Sequence, residues 1–166
     1  ISLFFGLAVA CSTLLGHRLG AEEYEAAWQH SQLFLLLAPI GALLVGIAVW
    51  LLQTNLLQWV GNLPGELMGE AGQVLAIMCL GMLLKVFNMV GIVGVLRSGG
   101  DVNYSIFIDI VAMWCIGLPL AWAAVSLLGW PLSWVVAVVL LEELCKVLLV
   151  QRRIRQRHWL KNLVMG

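Results

Sequence analysis

Two long stretches of the chain, residues 26–64 and 110–141, contain no Asp, Glu, Lys or Arg. An α-helix rises about 1.5 Å per residue, so about 20 apolar residues cross a hydrocarbon layer about 30 Å thick. The pattern predicts four full spans, at roughly 30–54, 72–96, 103–127 and 131–151. A shorter apolar run over 1–15 is expected to be the inner end of a fifth span, truncated by the start of the chain. It does not read as a signal peptide, because it lacks a basic leader and an initiating Met, and Gly16-His17-Arg18 reads as a loop. The reading is an all-α polytopic bundle that is part of a longer protein, with a basic tail over 152–166.

Composition agrees with a lipid solvent. Of the 166 residues 62% are hydrophobic and 11% charged, and the mean hydropathy is +0.99. A soluble domain carries roughly 25% charged residues. Nine Lys and Arg balance nine Asp and Glu, which leaves no electrostatic case for a nucleic-acid partner. The bilayer is the expected partner, and disorder is excluded.

Charge placement sets the topology. Arg18 and Arg97 mark two loops, and Arg152, Arg153, Arg155, Arg157 and Lys161 crowd the tail. The other connections, about 55–71 and 128–130, hold no Lys or Arg, and their charges are Glu66 and Glu70. Alternating spans put all seven loop cations on one side, which the positive-inside rule assigns to the cytoplasm. A multi-pass protein of the plasma (inner) membrane, with a cytoplasmic C-terminus, follows. Trp28, Trp50, Trp59, Trp130 and Trp159 lie near span ends, as interfacial anchors do.

Four cysteines on four different spans, without CxxC spacing, suggest neither a zinc site nor a disulfide framework. His17, His30 and His158 fall at span boundaries, and no phosphate loop, HExxH or GxSxG element occurs. No enzyme, cofactor or metal site is expected.

The candidate chemistry lies in five ionisable residues inside spans: Lys85, Asp109, Glu142, Glu143 and Lys146. Facing lipid, each would cost a few kcal/mol, so they are expected to face protein or a water-filled cavity. Counted by helical rise, Lys85, Glu142 and Asp109 lie about 18, 15 and 12 Å from the cytoplasmic edge and could meet. Glu142 and Lys146 are spaced i,i+4 in the favourable order, and Glu143 competes for the same ammonium at i,i+3. If Lys85 then pairs with Asp109 or the second glutamate, one carboxylate is left over. It would be a candidate to hold a proton or a small cation. The alternative is a static network that locks helices together. Leu75, Met78, Met82, Lys85, Met89 and Ile92 share one helical face, with Asn88 nearby. Flexible, polarizable methionines suit varied apolar ligands, although ordinary packing explains the same stripe. Gly81, Gly91 and Gly94 permit close helix approach, and Pro39 and Pro119 are placed to kink spans.

Three motifs point further. Cys11-Ser-Thr-Leu-Leu-Gly16-His-Arg-Leu-Gly20-Ala-Glu-Glu-Tyr-Glu-Ala-Ala27 resembles a short cytoplasmic loop of the multidrug and toxic compound extrusion (MATE) transporters. Gly94-Val-Leu-Arg97-Ser-Gly-Gly100-Asp101 resembles that family's Gly-x-Leu-Arg-Gly-x-Gly-Asp loop, and Trp114-x-x-Gly117-Leu-Pro119-Leu-Ala121 its Trp-x-x-x-Leu-Pro-Leu helix. The resemblance implies helices 8–12 of a twelve-helix, two-lobe fold. The N-terminal lobe of the same chain would then be a partner. It also implies an antiporter that exports drugs or organic, often cationic, metabolites in exchange for H⁺ or Na⁺, with the fragment inactive alone. Where one subgroup of the family carries a carboxylate, this sequence has Val86 beside Lys85, a departure from that subgroup's Na⁺ site. In the loop motif, Arg97 is placed to snorkel or cap its helix, Gly99-Gly100 to turn, and Asp101 to cap the next helix. Two other functions stay open: a flippase for lipid-linked saccharides of related architecture, and a non-transporting membrane scaffold.

Overall fold

The computed structural model describes residues 2–60 and 65–161, and the described residues form helices joined by short turns. In chain order these are α1 (Ser2–Gly20), α2 (Tyr24–Leu51), α3 (Gln53–Val60), α4 (Gly65–Met89), α5 (Val102–Ala112), α6 (Leu118–Ser126) and α7 (Leu132–Arg155). A π-helical segment, Val90–Leu96, extends α4, and another, Met113–Gly117, joins α5 to α6. The result is two long rods, Leu67–Leu96 and Val102–Ser126. With α1 and α2 they make four helical spans long and apolar enough to cross a membrane. The protein is an all-α polytopic membrane protein. Helix α7, with 24 residues, reaches about 36 Å, but carries Glu142, Glu143 and Lys146 along its middle.

The π-helical segments have local causes. Pro119 lacks an N–H and cannot close an ordinary helical turn. The wide turn before it absorbs that loss, and the Leu118 N–H bonds to the Met113 carbonyl, five residues back. At the position where a kink is expected, the helix changes type. At the end of the other segment the Arg97 N–H reaches the Ile92 carbonyl at 3.1 Å, and Gly100 (φ 78°) turns the chain into α5.

Several boundaries shift from the sequence reading: α2 begins earlier, at Tyr24, and α7 runs on to Arg155, into the expected tail. The first span continues past residue 15 to Gly20. Much of the connection expected over 55–71 is helical. Leu57 of α3, half-buried, lies beside Gly72 of α4, so the short helix packs on α4 rather than forming a loop. Residues 61–64 of that connection, and 162–166 of the tail, lie outside the described residues.

Helix α2 packs on α4, α4 on α7, and α1 on the π-helical segment Val90–Leu96. Glycines make these approaches possible, as their spacing suggested. A Cβ at Gly94 would stand 3.1 Å from Cys11 Sγ, and one at Gly91 only 2.5 Å from a Val150 methyl. Large apolar side chains on α5, α6 and the π-helical segment between them, such as Phe107, Trp122 and Trp114, face outward, which suits hydrocarbon.

The two ends of the bundle differ. At one end the backbone N–H of Leu132, opening α7, donates to Glu70 Oε1 at 2.9 Å, where a carboxylate complements the helix dipole. At the other end the cation-bearing segments touch one another. Arg157 reaches Glu25 at 3.0 Å and stacks over Trp28, while Arg153 binds Asp101 and stacks over Tyr104. Trp159 is not an interfacial anchor here. The chain turns back at Arg157 (φ 56°) and buries the Trp159 ring completely, its indole N–H donating to the Ile154 carbonyl at 3.3 Å. A side chain at Gly99 would collide with the Trp159 backbone.

Candidate functional site

The in-span charges gather where α4 faces α7. Glu142, Glu143 and Lys146 lie within about one helical turn of α7, which places all three on adjoining faces. Lys146 Nζ is 2.8 Å from Glu142 Oε1 and 3.6 Å from Glu143 Oε1. Lys85, from α4, stands 4.0 Å from the second glutamate. Asn88, one turn further along α4 and buried, donates from Nδ2 to Glu143 Oε2 at 2.8 Å and to the Glu143 carbonyl at 2.9 Å. Its Oδ1 is buried with no hydrogen-bond partner. Both Glu142 and Lys146 are buried.

Asp109 pairs differently from expectation. Its partner is Arg97, at 3.9 Å, and not Lys85, although it remains within electrostatic range of Lys146, Glu142 and Glu143. Arg97 occupies the C-cap of its π-helical segment and reaches inward to this carboxylate. The leftover carboxylate expected from five residues is therefore absent. With Arg97 included, three cations face Asp109, Glu142 and Glu143, and each of the three lies within 4.0 Å of one. Asp101 also corrects its expected role. It occupies the N-cap position of α5 but makes no side-chain cap. Its carboxylate instead takes a two-point grip from Arg153, 2.6 Å from Nε and 3.1 Å from Nη2. That hydrogen bond raises the Arg153 pKa still further above its high ordinary value.

The methionine stripe divides. Leu75, Met78, Met82 and Lys85 line an open groove of about 480 Å³, whose far wall is Val135, Val139, Glu142 and Glu143 of α7. Met113 and Val49 close its sides. Met89 and Ile92 turn away and pack in the core around α1 and α2. Two oxygen-bearing glutamates and one ammonium thus border an otherwise apolar groove of a size suited to small organic molecules. Gly94, in the loop motif, presses on Cys11 of α1 and takes no part in this groove.

One supporting residue escaped the sequence reading. A Cβ at Gly117 would collide with the Glu142 carboxylate, so only glycine lets Glu142 lie against the π-helical segment. The sequence signal is a glycine two residues before a proline inside a span, and the motif that holds it does not by itself point to Glu142. Among the described residues no group of three His, Cys, Asp or Glu forms a metal site. Oxygen donors for a small cation would be Asn88 Oδ1 and the two glutamates, in competition with two lysines.

Comparison with known proteins follows the same line. The MatE family model matches residues 1–123, a stretch that contains all three sequence motifs. An uncharacterized transporter of Bacillus subtilis (strain 168), YisQ, is 26% identical over 162 residues, covering 96% of this chain and 35% of its own length. The chain thus spans about a third of that relative. No solved structure matches. By its motifs, its membrane-crossing helices and the family match, the chain belongs to the MatE family.

Proposed function

We propose that this chain is the C-terminal lobe portion of a secondary antiporter that exports organic, often cationic, compounds in exchange for H⁺ or Na⁺. It resides in the plasma (inner) membrane with its C-terminus in the cytoplasm. The observation that carries this reading is that Glu142 and Glu143, held by Lys146 and Asn88, line a groove together with Met78, Met82 and Met113. A coupling ion drives transport only if its binding changes the affinity for substrate, and neighbouring sites give that coupling a direct route. Here the acids that could exchange Lys partners for a proton or Na⁺ form one wall of the cavity that could receive substrate. Helices with π-helical turns and a proline suit a lobe that changes shape during alternating access.

The complete ion pairing of the cluster favours a second reading, a scaffold whose charges only fasten helices. Efflux of cationic dyes by the full-length protein in proteoliposomes, under imposed H⁺ and Na⁺ gradients, separates the two. Gradient-driven efflux supports the antiporter. No efflux of any cationic dye under either gradient overturns it.

A further inference from the structure

The cations at the charged end of the bundle differ in whether the protein itself engages them. Arg18, Arg97, Arg153 and Arg157 each pair with a carboxylate of this chain, namely Glu23, Asp109, Asp101 and Glu25. No ion pair engages Arg152 or Arg155 among the described residues, and both side chains are exposed on α7. Their i,i+3 spacing puts them on one side of the helix. That side borders two depressions that share Gln151 and Arg155. One, of about 190 Å³, lies between α2 and α7, with Leu35, Leu36, Phe87 and Ile154 as its apolar wall and Gln32 at its rim. The other, of about 410 Å³, adds Arg152 and Gln156 above the exposed Leu148.

We propose that Arg152 and Arg155 bind the headgroup phosphate of an anionic phospholipid, whose acyl chain lies in the groove between α2 and α7. Three observations assign the occupant. Two free guanidinium groups complement a phosphate diester, which each can grip at two oxygens. Gln32, Gln151 and Gln156 offer amide donors on either side of them, to phosphate or glycerol oxygens. The apolar wall runs from the arginines toward the middle of the bundle, where a lipid tail, unlike a soluble phosphate, would find contact. The assignment does not depend on transport, because it needs only that the end of α7 lies at the membrane surface.

Thermal unfolding of the purified full-length protein in detergent micelles tests this, with phosphatidylglycerol, phosphatidylcholine or inorganic phosphate added in separate arms. At about a hundred times the dissociation constant, phosphatidylglycerol is expected to raise Tm by about 3 °C, and the other two by less than about 1 °C. Arg155→Gln and Arg152→Gln should each lose at least half of that rise. So should Leu36→Trp, which fills the groove from an exposed position. Lys161→Gln removes an equal charge from the same end and should keep the rise. Tm in phosphatidylcholine shows whether each variant is folded, and the two arginines provide independent variants. Four results overturn the proposal: a full phosphatidylglycerol response in both arginine variants, an equal loss in Lys161→Gln, an equal response to phosphatidylcholine, or the same rise with inorganic phosphate alone.

Discussion

Replacing Lys146 by Met removes the ammonium shared by Glu142 and Glu143 while keeping most of its aliphatic volume. At an effective dielectric of about 20, the attraction is about 6 kcal/mol at the 2.8 Å separation from Glu142 and about 5 kcal/mol at the 3.6 Å separation from Glu143. Desolvation of the three ions offsets much of this, so the variant should lose about 3–5 kcal/mol, the usual cost of leaving a buried charge without its partner. The two glutamates fare differently. Glu143 keeps Lys85 at 4.0 Å and the amide of Asn88, whereas Glu142 loses its sole ion-pair partner among the described residues. Adding Glu142→Gln to Lys146→Met should therefore recover at least about 2 kcal/mol of the loss, because a neutral amide replaces the stranded carboxylate. Unfolding of the full-length protein in mixed detergent micelles, for the wild type, both single variants and the double variant, gives the coupling. A single variant within about 1 kcal/mol of wild type, or a double variant no better than Lys146→Met, would refute this account of the cluster.

Other residues make separate predictions. Gly117→Ala should raise local helix propensity yet disturb the site, since the new Cβ collides with the Glu142 carboxylate. We expect a folded protein with dye efflux down by about tenfold or more, a barrier change of about 1.4 kcal/mol. Gly81→Ala, which meets the movable end of Leu140 at 2.5 Å, should be milder in the same assay. Asp101→Asn should cost about 1.5–3 kcal/mol by removing a charged two-point hydrogen bond, read in a double-mutant cycle with Arg153→Gln. Trp159→Ala empties a fully buried position and should cost about 3–5 kcal/mol in the same unfolding measurement.

The amount of structure legible in the sequence follows from the range of the forces involved. Long apolar runs dictate helices because every backbone N–H in hydrocarbon needs an internal partner, so the rods could be read directly. Helical spacing likewise placed Lys146 against both glutamates, and it put Met82 and Lys85 on one face. Partners from other helices were harder. The inward reach of Arg97 to Asp109 depends on the π-helical turn and on the tilt of two rods, neither of which periodicity encodes. Asp101 had the residue type and position of a cap, but a nearby guanidinium binds a carboxylate more strongly than backbone N–H groups do. Trp159 looked like an anchor because a tryptophan after a basic segment ordinarily is one. Its burial depends on a turn at Arg157 and on the absence of a side chain at Gly99.

The central claim is that the cluster between α4 and α7 links a cation gradient to movement of an organic substrate. Dye efflux by proteoliposomes of the full-length protein, wild type against Glu143→Gln, tests it most directly, with dye binding measured in parallel. Glu143 contacts Lys85, Lys146 and Asn88, so its amide changes the charge of the cluster while retaining oxygen for hydrogen bonding. The account predicts that the variant binds dye within about threefold of wild type, a difference of about 0.7 kcal/mol, but loses the stimulation of efflux by the gradient. Equal stimulation in the two proteins would contradict it.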